Sequence, residues 1–380
     1  MQKVYLDHAA TSPMHPSVID KQVSVMNNTF GNPSSIHSYG REARHLLDES
    51  RTIIADSLNA DFNEIIFTSG GTEADNMAIM GVAEARKNKG KHIITTQIEH
   101  HAVLHVCNHL EEKGFEVTYL PVDKEGRISL EELKNELRED TILVTIMFGN
   151  NEVGTVQPIQ EIGELVKDHP AYFHTDAVQA YGLTKIDVKA LHIDLLSVSA
   201  HKINGPKGIG FLYSQNDVPL TPSLFGGEQE RKRRAGTENV ASIAAFAEAV
   251  TIAQATRTEK LSEYEKFANT LIGKLTESPV EFSRNGSLEH YLPHVVNLSF
   301  PGTDVESLLV NLDMSGIAVS SGSACTAGSI EPSHVLVAMF GKESDKIRNS
   351  IRFSFGLHNT TDQVDYVVEE LIKIVTRLTR

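Results

Sequence analysis

Two polar residues belong to, or directly follow, apolar strand-like segments of the sequence, and both have side chains suited to covalent or acid–base chemistry. Asp176 lies in FHTDAVQA, and Lys202 comes soon after the strand-like segment DLLSVSA. A partly buried lysine has a lowered pKa and can act as an amine nucleophile. A carboxylate at a strand end needs a cationic partner, such as a protonated pyridine nitrogen. Simpler explanations stay open at this point: an exposed loop lysine, and a salt bridge from Asp176 to an Arg or Lys.

The segment TSGGTE is a third candidate, because it connects a strand-like segment to the start of a predicted helix. Gly70 and Gly71 let backbone N–H groups approach an anion, and the positive end of a helix dipole favours negative charge there. Thr72 adds a hydroxyl group. The segment contains neither a dinucleotide-binding fingerprint nor a Walker loop, and many strand–helix turns contain two glycines. It therefore predicts a phosphate site only in combination with Asp176 and Lys202.

A histidine-rich stretch, IEHHAVLHVCNHL, supplies further candidates. His101, His105 and His109 recur at helical spacing. No HExxH motif and no convincing carboxylate or cysteine set accompanies them, so we do not predict a metal site. His100 lies at a predicted strand-to-helix junction, where the other candidates also lie. Its imidazole could stack on a flat ring and transfer protons.

Together these residues describe one ligand, a planar phosphorylated aldehyde that contains a pyridine nitrogen. The Gly70-Gly71 turn and Thr72 would bind its phosphate. Asp176 would pair with its ring nitrogen, and Lys202 would form a Schiff base with its aldehyde. That ligand is pyridoxal 5′-phosphate (PLP), which acts as an electron sink for reactions at the α-carbon of amino acids.

The chain has two cysteines, Cys107 and Cys325. Cys325 stands in SSGSACTAGS (320–329), where every neighbour has a small side chain. It could be half of a disulfide, a packed thiol, or a nucleophile on a mobile loop. A reducing cytosol disfavours the disulfide. Cys107 lies in an apolar helical stretch, which predicts an ordinary packed thiol.

Composition and charge limit the classes of protein to which the chain can belong. Its 380 residues are 40% hydrophobic and 22% charged, a composition typical of a globular protein. This length predicts roughly two domains. The net charge of −15 argues against broad nucleic-acid binding. A local basic run, 231–234, predicts either a solvated loop or a contact with an anion or a partner.

We expect a cytoplasmic protein with no membrane span. The first residues, MQKVYLDHAATSPMHPS, do not show the charged-then-apolar pattern of a signal peptide. No apolar run approaches the roughly 18 residues that a membrane-spanning helix needs.

Strand-like segments alternate with helical ones through the first two thirds of the chain. The strand-like segments are 65–67, 92–96, 115–120, 141–148, 171–177, 194–200 and 208–214. This alternation predicts an α/β fold with a mostly parallel sheet flanked by helices, whose ligands lie beyond the carboxyl ends of the strands. A long helical pattern extends over 238–275, and after it the pattern changes to that of a smaller α+β unit. We place the change of domain near residue 257. We therefore predict a large domain over 14–257 and a small domain formed by 1–13 and 258–380.

A series of motifs extends over nearly the whole chain. They are YLDHAAT (5–11), FGNPSS (30–35), TSGGTEADN (68–76), EHHAV (99–103), NNEVG (150–154), HTDAVQ (174–179), SAHKINGPKG (199–208), RRAGTEN (233–239), SSGSACT (320–326) and SIRFSFG (350–356). In this order they resemble the group I cysteine desulfurases of the NifS/IscS type, in the class V branch of fold-type I PLP enzymes. Ala200 departs from the family pattern, in which a glycine is common. The resemblance implies a seven-stranded-type sheet in the large domain and a small domain that carries the cysteine loop.

The resemblance also implies a role for each matching residue. Lys202, His100 and Cys325 would be catalytic, with Lys202 as the base at the α-carbon. The residues implied for cofactor binding are Gly71, Thr72, His100, Asn151, Asp176, Gln179, Ser199, His201, Lys202 and Thr237. Those implied for substrate binding are Asn32, Asn151 and Arg352. Gln179 would contact the phenolic oxygen of PLP, and Thr237 would reach the phosphate in the other subunit of a homodimer.

The reaction that the resemblance implies is the conversion of L-cysteine to L-alanine, with the sulfur held as a persulfide on Cys325. The persulfide would pass to an acceptor protein, either a tRNA thiotransferase or an iron–sulfur scaffold, without direct contact with nucleic acid. No resident metal is implied, although Cys325 could transiently ligate an iron–sulfur cluster. Family members that dock a scaffold usually have a longer C-terminal segment than this chain, which ends at Arg380. We therefore expect a thiotransferase acceptor at least as strongly as a scaffold.

Three other functions are compatible with parts of this pattern. A selenocysteine lyase would use the same cofactor but would need no acceptor thiol. A class V aminotransferase would form keto acids. A sulfur-relay protein without catalysis would have lost its cofactor site, and the joint presence of Lys202, Asp176, His100 and Cys325 argues against that loss.

Overall fold

The computed structural model describes residues 3–321 and 332–379. Within these ranges the strands β1–β12 are, in chain order, Val4–Tyr5, Ile65–Thr68, His92–Thr96, Glu116–Leu120, Thr141–Thr145, Tyr172–Asp176, Leu195–Ser199, Gly210–Ser214, Ser283–Asn285, Val295–Ser299, Ile317–Ala318 and Ser350–Ser354. The helices α1–α11 are Pro16–Asn28, Ser38–Asp56, Gly71–Arg86, His101–Glu112, Leu130–Glu136, Ile159–Val166, Val240–Thr276, Val305–Met314, His334–Phe340, Lys346–Asn349 and Thr361–Leu378. The segment that contains Cys325 lies outside the described residues.

The large sheet contains seven strands in the order β2-β8-β7-β6-β5-β3-β4. Strands β3 to β7 pair in parallel, and β8 is antiparallel to both β2 and β7. Each of the seven strand-like segments of the sequence supplies one strand of this sheet. The predicted α/β fold with a mostly parallel sheet flanked by helices is therefore confirmed.

Apolar side chains fill both faces of this sheet, and double burial explains why its strands are nearly continuous apolar runs. Phe173 and Phe246 belong to a buried cluster that joins the sheet to α2 and α7. Ile93 and Cys107 belong to a second cluster, which joins the sheet to α3 and α4. Cys107 is a fully buried free thiol, as predicted. None of the helices in the described ranges combines the length and the apolarity that a membrane span requires.

A further buried core surrounds the antiparallel sheet β12-β10-β9. It includes Leu6, Phe267 and Phe353, so the N-terminal segment, α7 and β12 all contribute to it. Strand β1 joins this region because it pairs in parallel with β11. Helix α7 contributes to the cores on both sides and, in agreement with the long helical pattern of the sequence, continues without a break through residue 257. The domain limits of 14–257 for the large domain, and of 1–13 with 258–380 for the small domain, stay a prediction.

One buried ion pair connects α2, β2 and the segment after β8. Arg51 donates from Nη1 and Nη2 to the two carboxylate oxygens of Glu230, at 2.8 and 2.6 Å. Arg51 also donates to the Ile65 carbonyl, and the Phe67 N–H donates to Glu230. Both charged side chains are buried, so each depends on the other to compensate the loss of its hydration.

Arg51→Ala should destabilise the fold strongly, because it leaves the Glu230 carboxylate buried without its cation. We expect the free energy of unfolding, measured by urea denaturation, to fall by about 3–5 kcal/mol. Arg44→Ala is the matched control, because Arg44 lies on the same helix in an exposed pair with Asp48. The control should lose less than about 1 kcal/mol. Equal losses in the two variants would contradict a dependence of the fold on the buried pair.

Candidate active site

A cavity of about 530 Å³ lies beyond the carboxyl ends of the parallel strands β5, β6 and β7. Its volume is typical of a small-ligand site. The amino end of α3, the residue before α4 and the segment after β1 complete its wall. The predicted site residues in this wall are Gly71, Thr72, His100, Asn151, Asp176, Gln179, Ser199, His201, Lys202 and Arg352.

Lys202 ends the 3-10 turn Ala200–Lys202 that follows β7, and its side chain lines the cavity. Its amine donates to the carbonyl oxygens of Ala9 and Ala10, at 2.8 Å from the Ala10 oxygen. Burial, reinforced by the positive charge of Arg352, lowers the pKa of Lys202 to about 8. A substantial fraction of the amine is therefore neutral near that pH. Lys202 is not the exposed loop lysine that the sequence left open.

Asp176 ends β6 and is buried. One of its carboxylate oxygens accepts a hydrogen bond from the Val178 N–H at 2.9 Å. In the described part of the chain it forms no salt bridge with an Arg or Lys, so the alternative of a structural ion pair finds no support. Burial raises the pKa of Asp176 to about 6, against the opposing effects of the Val178 N–H and the charge of Lys202. The carboxylate can therefore accept a cationic partner from the cavity.

Helix α3 presents its amino end to the cavity. A Cβ atom added at Gly71 would lie 2.8 Å from Val178 Cγ2, so the close approach of the helix to the end of β6 requires a glycine. The N–H groups of the first helical turn have no partner within the helix, and with the Thr72 hydroxyl they can bind an anion. Ser199 and His201 line the same cavity and add polar groups to it.

His100 caps the amino end of α4, where its Nδ1 accepts a hydrogen bond from the Ala102 N–H at 3.1 Å. Burial, and then the charge of Lys202, lower the pKa of His100 to about 4. The ring is therefore neutral at physiological pH, and because Nδ1 accepts, its proton lies on Nε2. A neutral imidazole in the cavity wall is suited to exchange a proton with a ligand.

Arg352 of β12 borders the cavity from the side of the antiparallel sheet. Its Nη2 donates to Asp7 Oδ1 at 2.7 Å, and its Nη1 donates to the Asn151 carbonyl at 2.9 Å. The side chain is 4% exposed, and its Nε has no partner among the described residues. A buried guanidinium with unused N–H donors can bind the carboxylate of a ligand.

The cavity wall also contains residues to which the sequence analysis assigned no role. Asp7, Asp75 and Glu152 lie within the sequence motifs, so the motifs could have pointed to them. Leu309 and His334 lie outside those motifs, and only the tertiary structure brings them to the cavity.

Three predicted residues are not among the described wall residues. Asn32 and Thr237 are exposed, and the side chain of Asn32 accepts a hydrogen bond from the Ser34 N–H at 2.9 Å. Cys325 lies outside the described residues, although Ser321, at the edge of its segment, lines the cavity. The roles of these three residues stay predictions.

The basic run 231–234 makes contacts within the chain. Arg234 pairs with Glu73 in the first turn of α3 at 2.8 Å, and Arg233 donates to the Asn63 carbonyl at 2.6 Å. These contacts offset part of the positive charge of the run. The Arg234–Glu73 pair also holds the basic run beside the amino end of α3, where Gly71 and Thr72 line the cavity.

The donor set of the cavity fits PLP. The anion site at α3 suits the phosphate, the Asp176 carboxylate suits a protonated ring nitrogen, and the Lys202 amine suits the aldehyde. Residues 4–367 of the sequence match the family described as aminotransferase class-V. The chain belongs to this family. Class-V aminotransferases depend on PLP, in agreement with the residues that meet in the cavity.

Individual relatives within the class-V family narrow the similarity. The chain is 62% identical over 379 residues to "Putative cysteine desulfurase IscS 1" of Bacillus subtilis (strain 168), which covers 100% of both chains. A solved NifS-like protein has a TM-score of 0.93 and 36% identity, covering 99% of this chain and 100% of its own. SspA, solved in complex with cysteine, has a TM-score of 0.81 and 37% identity, covering 94% and 100%. The predicted relationship to the NifS/IscS type is therefore confirmed.

Glu99 directly precedes His100 in the chain. It is fully buried, and one carboxylate oxygen accepts hydrogen bonds from the Thr96 hydroxyl at 2.7 Å and the Met147 N–H at 2.9 Å. Its second oxygen has no partner among the described residues. Burial raises the pKa of Glu99 from its ordinary value of 4.5 to about 8. The carboxyl group is therefore protonated in the folded protein at neutral pH.

Glu99→Gln should remove one source of pH-dependent stability. A carboxyl group with a raised folded-state pKa stabilises the fold fully below its unfolded pKa, and this stabilisation is lost as the pH rises through the folded pKa. The wild type should therefore lose thermal stability between pH 4.5 and about 8, and Glu99→Gln should lose less. Glu112→Gln, an exposed change on α4, is the control and should keep the wild-type slope. Parallel slopes of melting temperature against pH in all three proteins would contradict the prediction.

Proposed function

We propose that this protein is a PLP-dependent cysteine desulfurase, which converts L-cysteine to L-alanine and passes the sulfur to an acceptor protein. The observation that carries the proposal is the meeting of Lys202, Asp176 and the amino end of α3 in one cavity. The 62% identity to the Bacillus subtilis relative and the likeness to SspA, which was solved with cysteine, support the choice of reaction.

PLP supplies an electron sink for reactions at the α-carbon of the substrate. Asp176 would hold its ring nitrogen, and Gln179 would contact its phenolic oxygen. Gly71, Thr72, Ser199 and His201 would hold its phosphate. Thr237 of a second subunit would add to the phosphate site, and Asn151 and His100 would complete the cofactor site.

The substrate carboxylate binds to Arg352, which has unused N–H donors beside its pair with Asp7. Lys202 removes the proton from the α-carbon, because its lowered pKa leaves an unprotonated amine near pH 8. His100 is neutral and carries its ring proton on Nε2, so it can donate a proton to the substrate and accept one in return. Asn32, with Asn151, contacts groups beside the carboxylate.

Cys325 accepts the sulfur in this proposal. Its thiolate forms an S–S bond with the substrate sulfur, and the carbon–sulfur bond breaks with its electron pair left on carbon. Protonation of that carbon completes the methyl group of alanine, and the enzyme retains a persulfide. Cysteine and one thiol thus yield alanine and one persulfide, with no external oxidant. Ser321 lines the cavity just before the segment of Cys325, which supports this assignment.

Cys325→Ser should abolish sulfur transfer while leaving the cofactor site intact. We expect alanine release from L-cysteine, in the presence of a thiol reductant, to fall at least about a hundredfold. Cys107→Ser is the matched control, because Cys107 is buried in the sheet core and should not be needed for turnover. The visible absorbance of bound PLP should remain in both variants.

The same assay distinguishes the alternative functions. Equal alanine release by the wild type and Cys325→Ser would contradict the persulfide mechanism, and retained activity on selenocysteine would favour a selenocysteine lyase. Formation of a keto acid instead of alanine would favour an aminotransferase. We propose that the acceptor is either a tRNA thiotransferase or an iron–sulfur scaffold protein. Measuring the transfer of labelled sulfur to each purified protein would distinguish the two.

The proposal also includes a cytoplasmic location, because a protein that carries sulfur on a thiol needs a reducing compartment.

A homodimer is part of the proposal, because Thr237 and Asn32 are exposed and lie outside the described wall of their own cavity. Large apolar side chains are exposed in the same stretches of the chain. They include Ile19, Val23, Met26, Phe30, Ile36 and Phe225. Large exposed apolar side chains such as these are typical of a surface that binds a partner. A second subunit packed on this surface would cover it and bring its own Thr237 and Asn32 towards the cavity.

Ile36→Lys should disrupt this dimer, because it places a charge in the proposed interface at a side chain that is 90% exposed. We expect sedimentation velocity to show a monomer, with weaker binding of PLP because the contact of the partner's Thr237 is lost. Leu288→Lys is the control, since Leu288 is also exposed, at 64%, but lies in the β9–β10 connection. A monomeric wild type, or an unchanged dimer in Ile36→Lys, would contradict the proposed interface.

A further inference from the structure

A second, smaller cavity lies behind the cofactor site proposed above. Its volume of about 30 Å³ is room for about one water molecule. Gln179 and Lys202 line both cavities and therefore stand between them. His294, which is 6% exposed and belongs to none of the sequence motifs, also lines the smaller cavity.

The hydrogen bonds around Gln179 determine how its amide group is turned. Gln179 Nε2 donates to the Ala9 carbonyl oxygen at 3.0 Å. A carbonyl oxygen can only accept, so the NH₂ end of the amide must face Ala9. The amide oxygen then faces His294 Nε2, at 3.2 Å. A reversed amide would place two acceptors against each other at Ala9.

The same logic determines the protonation of His294. The amide oxygen of Gln179 can only accept, so His294 Nε2 must carry a proton. Burial, reinforced by the charges of His8 and Lys202, lowers the pKa of His294 to about 3, and the ring is neutral. A neutral imidazole has one N–H, which is used at Gln179. Its Nδ1 is therefore an acceptor, and it is buried without a partner among the described residues. A water molecule in the smaller cavity could donate to it.

We propose that His294 is a positioning residue that, together with the Ala9 carbonyl, holds the Gln179 amide in the orientation in which an N–H would face the cofactor. The NH₂ group has two N–H bonds, one of which goes to Ala9. The other is left for the phenolic oxygen of PLP as long as the hydrogen bonds with Ala9 and His294 both keep the amide oxygen turned away from it. This inference rests on the proposed function, in which Gln179 contacts that oxygen.

The positioning has a spectroscopic consequence that a merely structural role would not produce. An N–H donor at the phenolic oxygen of PLP would stabilise negative charge on that oxygen. The proton shared between this oxygen and the Lys202 nitrogen bonded to PLP would therefore be lost at a lower pH. The visible absorbance of bound PLP reports that proton loss. Without the oriented amide, the pH midpoint of the absorbance change should rise, and PLP should bind more weakly.

The test compares His294→Leu and His294→Asn with His294→Gln in the full-length holoenzyme. Leu has no donor and Asn is too short to reach Gln179, whereas the Nε2 of Gln can take the place of the imidazole Nε2. We expect the first two variants to raise the pH midpoint by about 0.5–1 unit, the equivalent of one hydrogen bond. They should also weaken PLP binding to the apoprotein about fivefold. His294→Gln should behave like the wild type.

Two further variants make the result decisive. Gln179→Leu should shift the midpoint as His294→Leu does, and the double variant should shift it no further, because both changes remove one interaction. Tyr264→Phe alters another wall of the smaller cavity and should leave the midpoint unchanged. A shift in Gln179→Leu but not in the Leu and Asn variants at His294 would overturn the proposal. An unchanged pH midpoint in Gln179→Leu would also overturn the proposal. The proposed desulfurase function is tested independently, by alanine release from L-cysteine by the wild type.

Discussion

The ion pair between Arg352 and Asp7 joins the two halves of the site. Arg352 lies in the antiparallel sheet, and Asp7 begins the N-terminal segment that crosses to the parallel sheet. Because the guanidinium is buried, it needs a carboxylate partner, and Asp7 of this segment provides it. The carbonyls of Ala9 and Ala10, a few residues further on, then receive the amine of Lys202. The segment that accepts hydrogen bonds from the reactive amine is thus paired, through Asp7, with a residue from the opposite end of the chain.

Burial is the common cause of the proton affinities in the cavity. It lowers the pKa of Lys202 to about 8 and of His100 to about 4, and it raises the pKa of Asp176 to about 6. Each shift favours the neutral form, because the low dielectric around the cavity penalises charge. Groups whose pKa values have moved closer together can exchange protons with a ligand at a modest cost in free energy. A ligand with an anionic and a cationic end would also provide partners for the charged forms of these groups.

Hydrogen bonds behind the cavity determine how the side chains in its wall are oriented. The Ala9 carbonyl accepts from both Lys202 and Gln179, so a single backbone oxygen orients two side chains of the site. Since that oxygen cannot donate, the orientation of Gln179 and the proton position on His294 follow from it in turn. A buried polar network of this kind specifies one arrangement, because a reversed Gln179 amide would place two acceptors against each other at Ala9.

The strands of the large sheet, the helices between them and most of the cavity wall can be predicted from the amino-acid sequence. Those features depend on local apolar patterns and on motifs that place Gly71, Asp176 and Lys202 at the ends of strands or the start of a helix. The pairing of Asp7 with Arg352 and the contact of His294 with Gln179 are seen only in the folded structure, because these contacts join residues far apart in the chain. Contacts between distant segments depend on how the elements pack, and no local periodicity encodes that packing.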